Sequence, residues 1–277
     1  MNNIDISIII YSVAVLGALG ALFGIALAVA AKKFAVEKDP LYEAIAGILP
    51  GANCGACGYP GCPSYASAIL SGAPTNKCIP GGDSTAAEIA DILGIDAEDV
   101  TEMVAFVRCS GGNKAERKYD YSGIDDCAAA MSMPDGGPVT CSKGCLGYGS
   151  CVKVCNYDAI EIVDGAAKVD RDLCKGCMMC VSTCPRGIIE MVPLTAQVKI
   201  PCSSTDKGAA VRKYCQTGCI ACRLCEKNCP HDAVKVTDNL AVIDYDKCQN
   251  CGICVTKCPR KLIINENGVV AAQQKAS

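Results

Sequence analysis

Between Asp5 and Lys32 the chain carries no charge, and the run "ISIIIYSVAVLGALGALFGIALAVAA" is almost entirely apolar or small. About 20 such residues cross the hydrocarbon of a bilayer as a helix, so this longer run predicts a membrane span with room for tilt. A cleaved signal peptide wants a basic leader and a shorter apolar core, and "MNNID" supplies no basic residue. Lys32 and Lys33 follow directly, which by the positive-inside rule puts the N-terminus outside and the remainder in the cytoplasm. Gly20 and Gly24 form a small face that suits packing on another membrane helix.

Past this anchor the hydrophobic period changes. "STAAEIADILGI" and "DAEDVTEMVAFV" carry apolar residues at helical spacing behind Ser, Thr or Asp caps, which predicts two short helices. Residues 110–123 are polar and glycine-containing and read as a linker. Further on, "NYDAIEIVDGAAKVDRDLC" and "PHDAVKVTDNLAVIDYDKC" each hold two short β-rich stretches around an Asp-Gly or Asp-Asn turn. The second lies 74 residues after the first, and the chain is an internal repeat at that offset.

Cysteine changes the picture most, with 24 among 277 residues. A chain of this length does not need disulfide stapling, and neighbours three apart are poor partners for one another. Tight runs suit thiolate ligation in a reducing compartment. "NCGACGYPGC" and "NKC" give Cys54, Cys57, Cys62 and Cys78, a four-ligand loop whose uneven spacing fits an iron–sulfur site better than a zinc knuckle. In the repeat, Cys145, Cys151, Cys155, Cys174, Cys177, Cys180 and Cys184 fall on Cys219, Cys225, Cys229, Cys248, Cys251, Cys254 and Cys258.

The pattern CxxCxxCxxxC, complete from Cys174 to Cys184, Cys219 to Cys229 and Cys248 to Cys258, resembles the bacterial ferredoxin with two [4Fe-4S] clusters. There three cysteines hold one cluster and the fourth reaches to the other. That resemblance implies the sets Cys219, Cys222, Cys225, Cys258 and Cys248, Cys251, Cys254, Cys229, with Cys174, Cys177, Cys180, Cys155 in the first copy. Tyr148 stands where the second copy has Cys222, so Cys141 is expected to complete a set with Cys145, Cys151 and Cys184. Asn156 replaces the proline expected after Cys155. Cys109, Cys127, Cys202 and Cys215 are left over. They are either the ligands of a sixth cluster at the junction of the copies or ordinary buried thiols.

The remaining polar residues add little chemistry. His231, the single histidine, sits in a "CPHDAV" turn and is not needed as a ligand where cysteine is abundant. Arg223, Lys227, Lys257, Arg260 and Lys261, near the cysteines, either offset cluster charge or, for most of them, are expected as solvated charges. Phosphate-cradling GxxxxGK[ST] and GxGxxG motifs are absent, and a net charge of -3 without a long basic block argues against nucleic acid. No catalytic acid, base or nucleophile is expected.

An N-terminal membrane helix, then "LPGANCGACGYPGC" with "NKCIPGG", then ferredoxin repeats, resembles the B subunit of the Rnf complex, a membrane-bound ferredoxin:NAD+ oxidoreductase that pumps Na+ or H+. The expected fold is α+β: an anchor over residues 1–33, a small helical [4Fe-4S] domain over 34–109, a linker over 110–140, and ferredoxin-like modules over 141–200 and 201–277. The resemblance implies an electron-transfer subunit with five [4Fe-4S] clusters, or six. It takes electrons from reduced ferredoxin and passes them to membrane redox subunits, with NAD+ reduced on another subunit. The alternatives are an electron-transfer arm of another membrane oxidoreductase such as a hydrogenase, and a zinc-binding docking scaffold.

Overall fold

The computed structural model describes residues 6–33 and 39–266, and the chain forms two compact units that divide after Ala44. In the first unit, helix α1 (Ile6–Lys33) contains a stretch, Val13–Ala30, long and apolar enough to cross a membrane. Its described side chains are largely exposed, Leu16 and Leu27 at 69%. In water that would be unfavourable; in lipid a helix satisfies its own backbone and presents apolar side chains to hydrocarbon.

The second unit begins within α2 (Pro40–Ile48) and continues through α3 (Cys62–Leu70) and α4 (Gly82–Leu93). Helix α4 buries Ala86, Ile89 and Ala90 along one stripe and stops at Gly94, whose φ of 65 is the left-handed geometry that ends helices. The first of the two expected short helices is therefore present. The second is not: Met103–Val107 is strand β1. Its Val-Ala-Phe-Val core is buried on consecutive positions and pairs antiparallel with β4 (Ile189–Pro193), Val104 opposite Val192. Periodicity cannot separate a short buried strand from a helix, and a partner 80-odd residues downstream settled it.

The repeat is visible in the backbone. Hairpin β2 (Ile160–Val163) with β3 (Ala166–Val169) and hairpin β6 (Val234–Thr237) with β7 (Leu240–Ile243) have matching register, Ile160 opposite Val169 and Val234 opposite Ile243. Their turns, Asp164-Gly165 and Asp238-Asn239, have positive φ at both positions, as two-residue hairpins require. A second pair of flanking strands completes module two, where β5 (Val198–Lys199) pairs with β8 (Ile264–Asn265).

Residues 110–140, expected as a linker, carry ordered structure. They contain α5 (Cys127–Met131); the Asn113 N–H donates to Asp164 O at 2.7 Å and a bridge joins Ala115 to Cys215, which ties them to both copies. The short helices α6 (Ser150–Lys153), α7 (Met179–Thr183), α8 (Gly208–Tyr214), α9 (Leu224–Lys227) and α10 (Ile253–Lys257) follow, most of them opening on or just after a cysteine loop.

Candidate metal centres

The cysteine loops are shaped by left-handed residues. At corresponding places the copies have Gly147 and Ala221, Gly149 and Arg223, Gly176 and Asn250, and Met178 and Gly252, all with positive φ. Glycine adopts that geometry at no steric cost, and in each pair it stands in at least one copy. The loop conformation is thus common to both copies, and it turns successive thiols toward one interior.

Twelve of the 24 cysteines line three cavities, four in each, and the other twelve make up the three sets expected from their loops. Site I is Cys54, Cys57, Cys62 and Cys78. Asn53 accepts the Cys62 N–H at 2.9 Å and fixes the start of α3, while burial, then the neighbouring Cys62, Cys57 and Cys54, push the Cys78 thiol up. Behind it Tyr65 is buried, donating to Pro74 O at 2.7 Å and stacking with Tyr59 at 5.2 Å. Site II is Cys155, Cys174, Cys177 and Cys180; burial pushes Cys180 up to about 12, and the other three thiols add to it.

Site III departs from expectation. One cavity is lined by Cys127, Cys145, Cys151 and Cys184, so Cys127 stands where Cys141 was expected. Asp126 caps α5 by accepting from Ala129 N–H at 2.9 Å, and Ser150 accepts the Cys127 N–H at 2.7 Å while donating to Asp126 at 2.8 Å. That network fixes Cys127 beside α6. Burial pushes Cys151 up to about 12, with Cys145, Cys127 and Cys184 following as causes.

Cys141 lies instead in a second cavity with Cys109, Cys202 and Cys215, site IV. The cavity that holds Cys109, Cys202 and Cys215 thus also holds Cys141, where the expected leftover set had Cys127. Site IV is nearly two-fold symmetric in its contributions. Cys141 and Cys215 are 74 residues apart, and Cys109 and Cys202 each follow a strand, each amide closing a tight turn onto the carbonyl two residues back at 2.9 and 2.8 Å. Cys109 Sγ accepts from Cys145 N–H at 3.3 Å and Cys202 Sγ from Cys219 N–H at 3.4 Å, again corresponding residues.

Site V, Cys219, Cys222, Cys225 and Cys258, lines one cavity, with Cys222 exposed. Site VI is Cys229, Cys248, Cys251 and Cys254; burial pushes Cys254 up to about 12, with Cys248 and Cys251 next among the causes. Amides that donate to sulfur, such as Ala105 to Cys174 at 3.4 Å and Ala167 to Cys145 at 3.5 Å, favour the thiolate form that ligation needs. Donor set, enclosure and amide pattern all fit [4Fe-4S] cores, which take four thiolates each.

Thiols of neighbouring groups influence one another in the order I to VI. Cys54 of site I is among the charges acting on Cys177 of site II, and Cys180 of site II acts on Cys151 of site III. The Cys145 and Cys219 amides bond sites III and V to site IV, and Cys225 of site V acts on Cys254 of site VI.

Arg186 escaped the sequence reading, and Arg260 reads there mainly as a solvated charge. Arg186 is 8% exposed and lines site III, and Arg260, expected as a solvated charge, is half-buried and lines site V. Their shared signal was position: each follows a Cys-Pro pair, 74 residues apart. Tyr148, in the place of Cys222, instead accepts from Arg117 at 2.6 Å and packs edge-on against Tyr121.

Such four-thiol sites in paired modules, in a chain that also carries a helix of membrane-spanning length, define an iron–sulfur protein of the ferredoxin type. Residues 49–80 match the "Putative Fe-S cluster" family, 166–189 the 4Fe-4S binding domain and 218–262 the 4Fe-4S dicluster domain. Over 93% of its length the chain is 42% identical to the B subunit of the ion-translocating oxidoreductase complex of Methanosarcina acetivorans, covering 98% of that protein. It is 45% identical over 92% to the B subunit of the Na+-translocating ferredoxin:NAD+ oxidoreductase complex of Acetobacterium woodii, covering 77% of it. With the proton-translocating counterpart of Clostridium ljungdahlii it shares 42% over 94%, covering 91%. The chain belongs to this family of B subunits of ion-translocating oxidoreductase complexes.

Proposed function

We propose that this chain is the membrane-anchored electron-transfer subunit of an ion-translocating ferredoxin:NAD+ oxidoreductase, taking electrons from reduced ferredoxin and relaying them through six [4Fe-4S] sites toward membrane redox subunits. The observation that carries the reading is the unbroken series of sites I to VI. Its ligand sets are the six groups of four cysteines above, and site IV joins what would otherwise be two separate runs. The bound cores supply one-electron chemistry at low potential. The protein's part is to hold thiolates, to donate amide hydrogens to sulfur and to exclude water by burial.

The domain plan follows the same logic: anchor, a small domain holding site I, and two ferredoxin-like modules clasped by residues 110–140 and by site IV. Lys32 and Lys33 support an N-terminus outside, with the sites on the cytoplasmic side. The anaerobically purified protein should contain iron and acid-labile sulfide in equal amounts and should lose visible absorption when reduced ferredoxin is added. Zinc without sulfide would refute the electron-transfer reading.

A further inference from the structure

Arg186 presents an electrostatic problem. Its guanidinium is buried, donates to Ser142 O and to Gly136 O at 2.6 Å, and keeps Nε–H without a partner. Among the described residues no carboxylate pairs with it. A buried cation with neutral partners and an idle donor is costly unless an anion stands beside it. What it lines is the four-thiol cavity of site III. Arg260 repeats the arrangement at site V, donating from Nε to Gly218 O at 3.3 Å and from Nη2 to Cys215 O at 2.5 Å. Both arginines also brace site IV: Ser142 follows Cys141, and Cys215 is one of its four thiols.

We propose that Arg186 and Arg260 are paired tuning residues on either side of the junction site, Arg186 Nε–H donating to the anionic core held at site III and Arg260 placing its charge beside that of site V. The inference rests on the ligand sets proposed above. Four thiolates make an oxidised core an anion, and taking up one electron makes it more negative. A fixed guanidinium therefore stabilises the reduced form more and raises the electron affinity of its site. Their bonds to the backbone around Cys141 and Cys215 hold each charge at a seam where an electron would cross between modules.

The test is an EPR-monitored redox titration of the full-length protein, with iron content measured on the same samples. R186Q should keep its iron and lower the electron affinity of one centre about tenfold, a midpoint shift of about 59 mV for a one-electron couple. The shifted signal should be the one missing from Cys127→Ala, and R186K should fall between wild type and R186Q. R260Q should shift a different signal, the one missing from Cys222→Ala, and exposed Lys257→Gln should shift none. Full iron with unchanged midpoints in R186Q overturns the proposal. If R186Q loses iron, R260Q decides: a shift with iron retained supports tuning, while iron loss in both, or no shift in R260Q, assigns the arginines a purely structural role. Cys127→Ala with undiminished iron would instead overturn the ligand set of site III, whatever the arginines do.

Discussion

Which cysteines share a core is decided by paired deletions. With six four-iron cores the intact protein should bind about 24 irons, and a site left with three thiolates should lose its core. Cys127 and Cys145 line the same cavity, so replacing either by alanine, or both together, should leave about 20 irons. Cys141→Ala with Cys202→Ala should behave likewise within site IV. A pair drawn from different sites, Cys141→Ala with Cys145→Ala, should leave about 16. The spacing-based grouping with a sixth cluster makes the opposite forecast for that pair, because it puts both residues in one set and leaves about 20. Iron and sulfide analysis of anaerobically purified variants, with EPR spin counting of the reduced forms, reads these differences of four irons directly. Additive loss for Cys127 with Cys145, or non-additive loss for Cys141 with Cys145, would refute the geometry argued here. Retention of full iron in Cys141→Ala and Cys202→Ala, with about 20 irons in the wild type, would remove site IV altogether.

Gly176 has φ 65, and an added Cβ would lie 2.5 Å from Met103 O and 2.6 Å from Ile79 Cγ2; Gly176→Ala should cost about 1–3 kcal/mol, measured as a lower urea midpoint, and should loosen the seam between sites I and II. Asp126→Ala removes both the cap of α5 and the acceptor for Ser150, and should speed chelator-driven loss of the site III iron, with Asp126→Asn, which keeps one acceptor oxygen, between it and wild type; equal rates for all three would separate the cap from the site. Removing residues 1–33 should give a soluble protein that keeps its iron and still oxidises reduced ferredoxin but no longer supports membrane-coupled NAD+ reduction, and loss of all iron would count against self-standing metal domains.

The sequence by itself determined whatever depends on neighbours. Uncharged length defined the apolar helix, Asp-Gly and Asp-Asn marked the hairpin turns, and the 74-residue register exposed the repeat. The CxxC runs were legible because three thiols on one loop are brought together by that loop's own left-handed residues, wherever it sits in the fold. Closing ligands and long-range partners depend on tertiary structure. Cys127 reaches site III because Asp126 and Ser150 fix α5 against α6, and spacing alone favoured nearer Cys141. Met103–Val107 is a strand because Ile189–Pro193 offers it an edge, although its own periodicity suits a helix. Arg186 and Arg260 look like ordinary surface charges until burial removes water and leaves the thiol cavities as their surroundings. Local spacing encodes loop geometry, whereas the joining of two copies around a shared site depends on contacts between residues about a hundred positions apart, which only packing can decide.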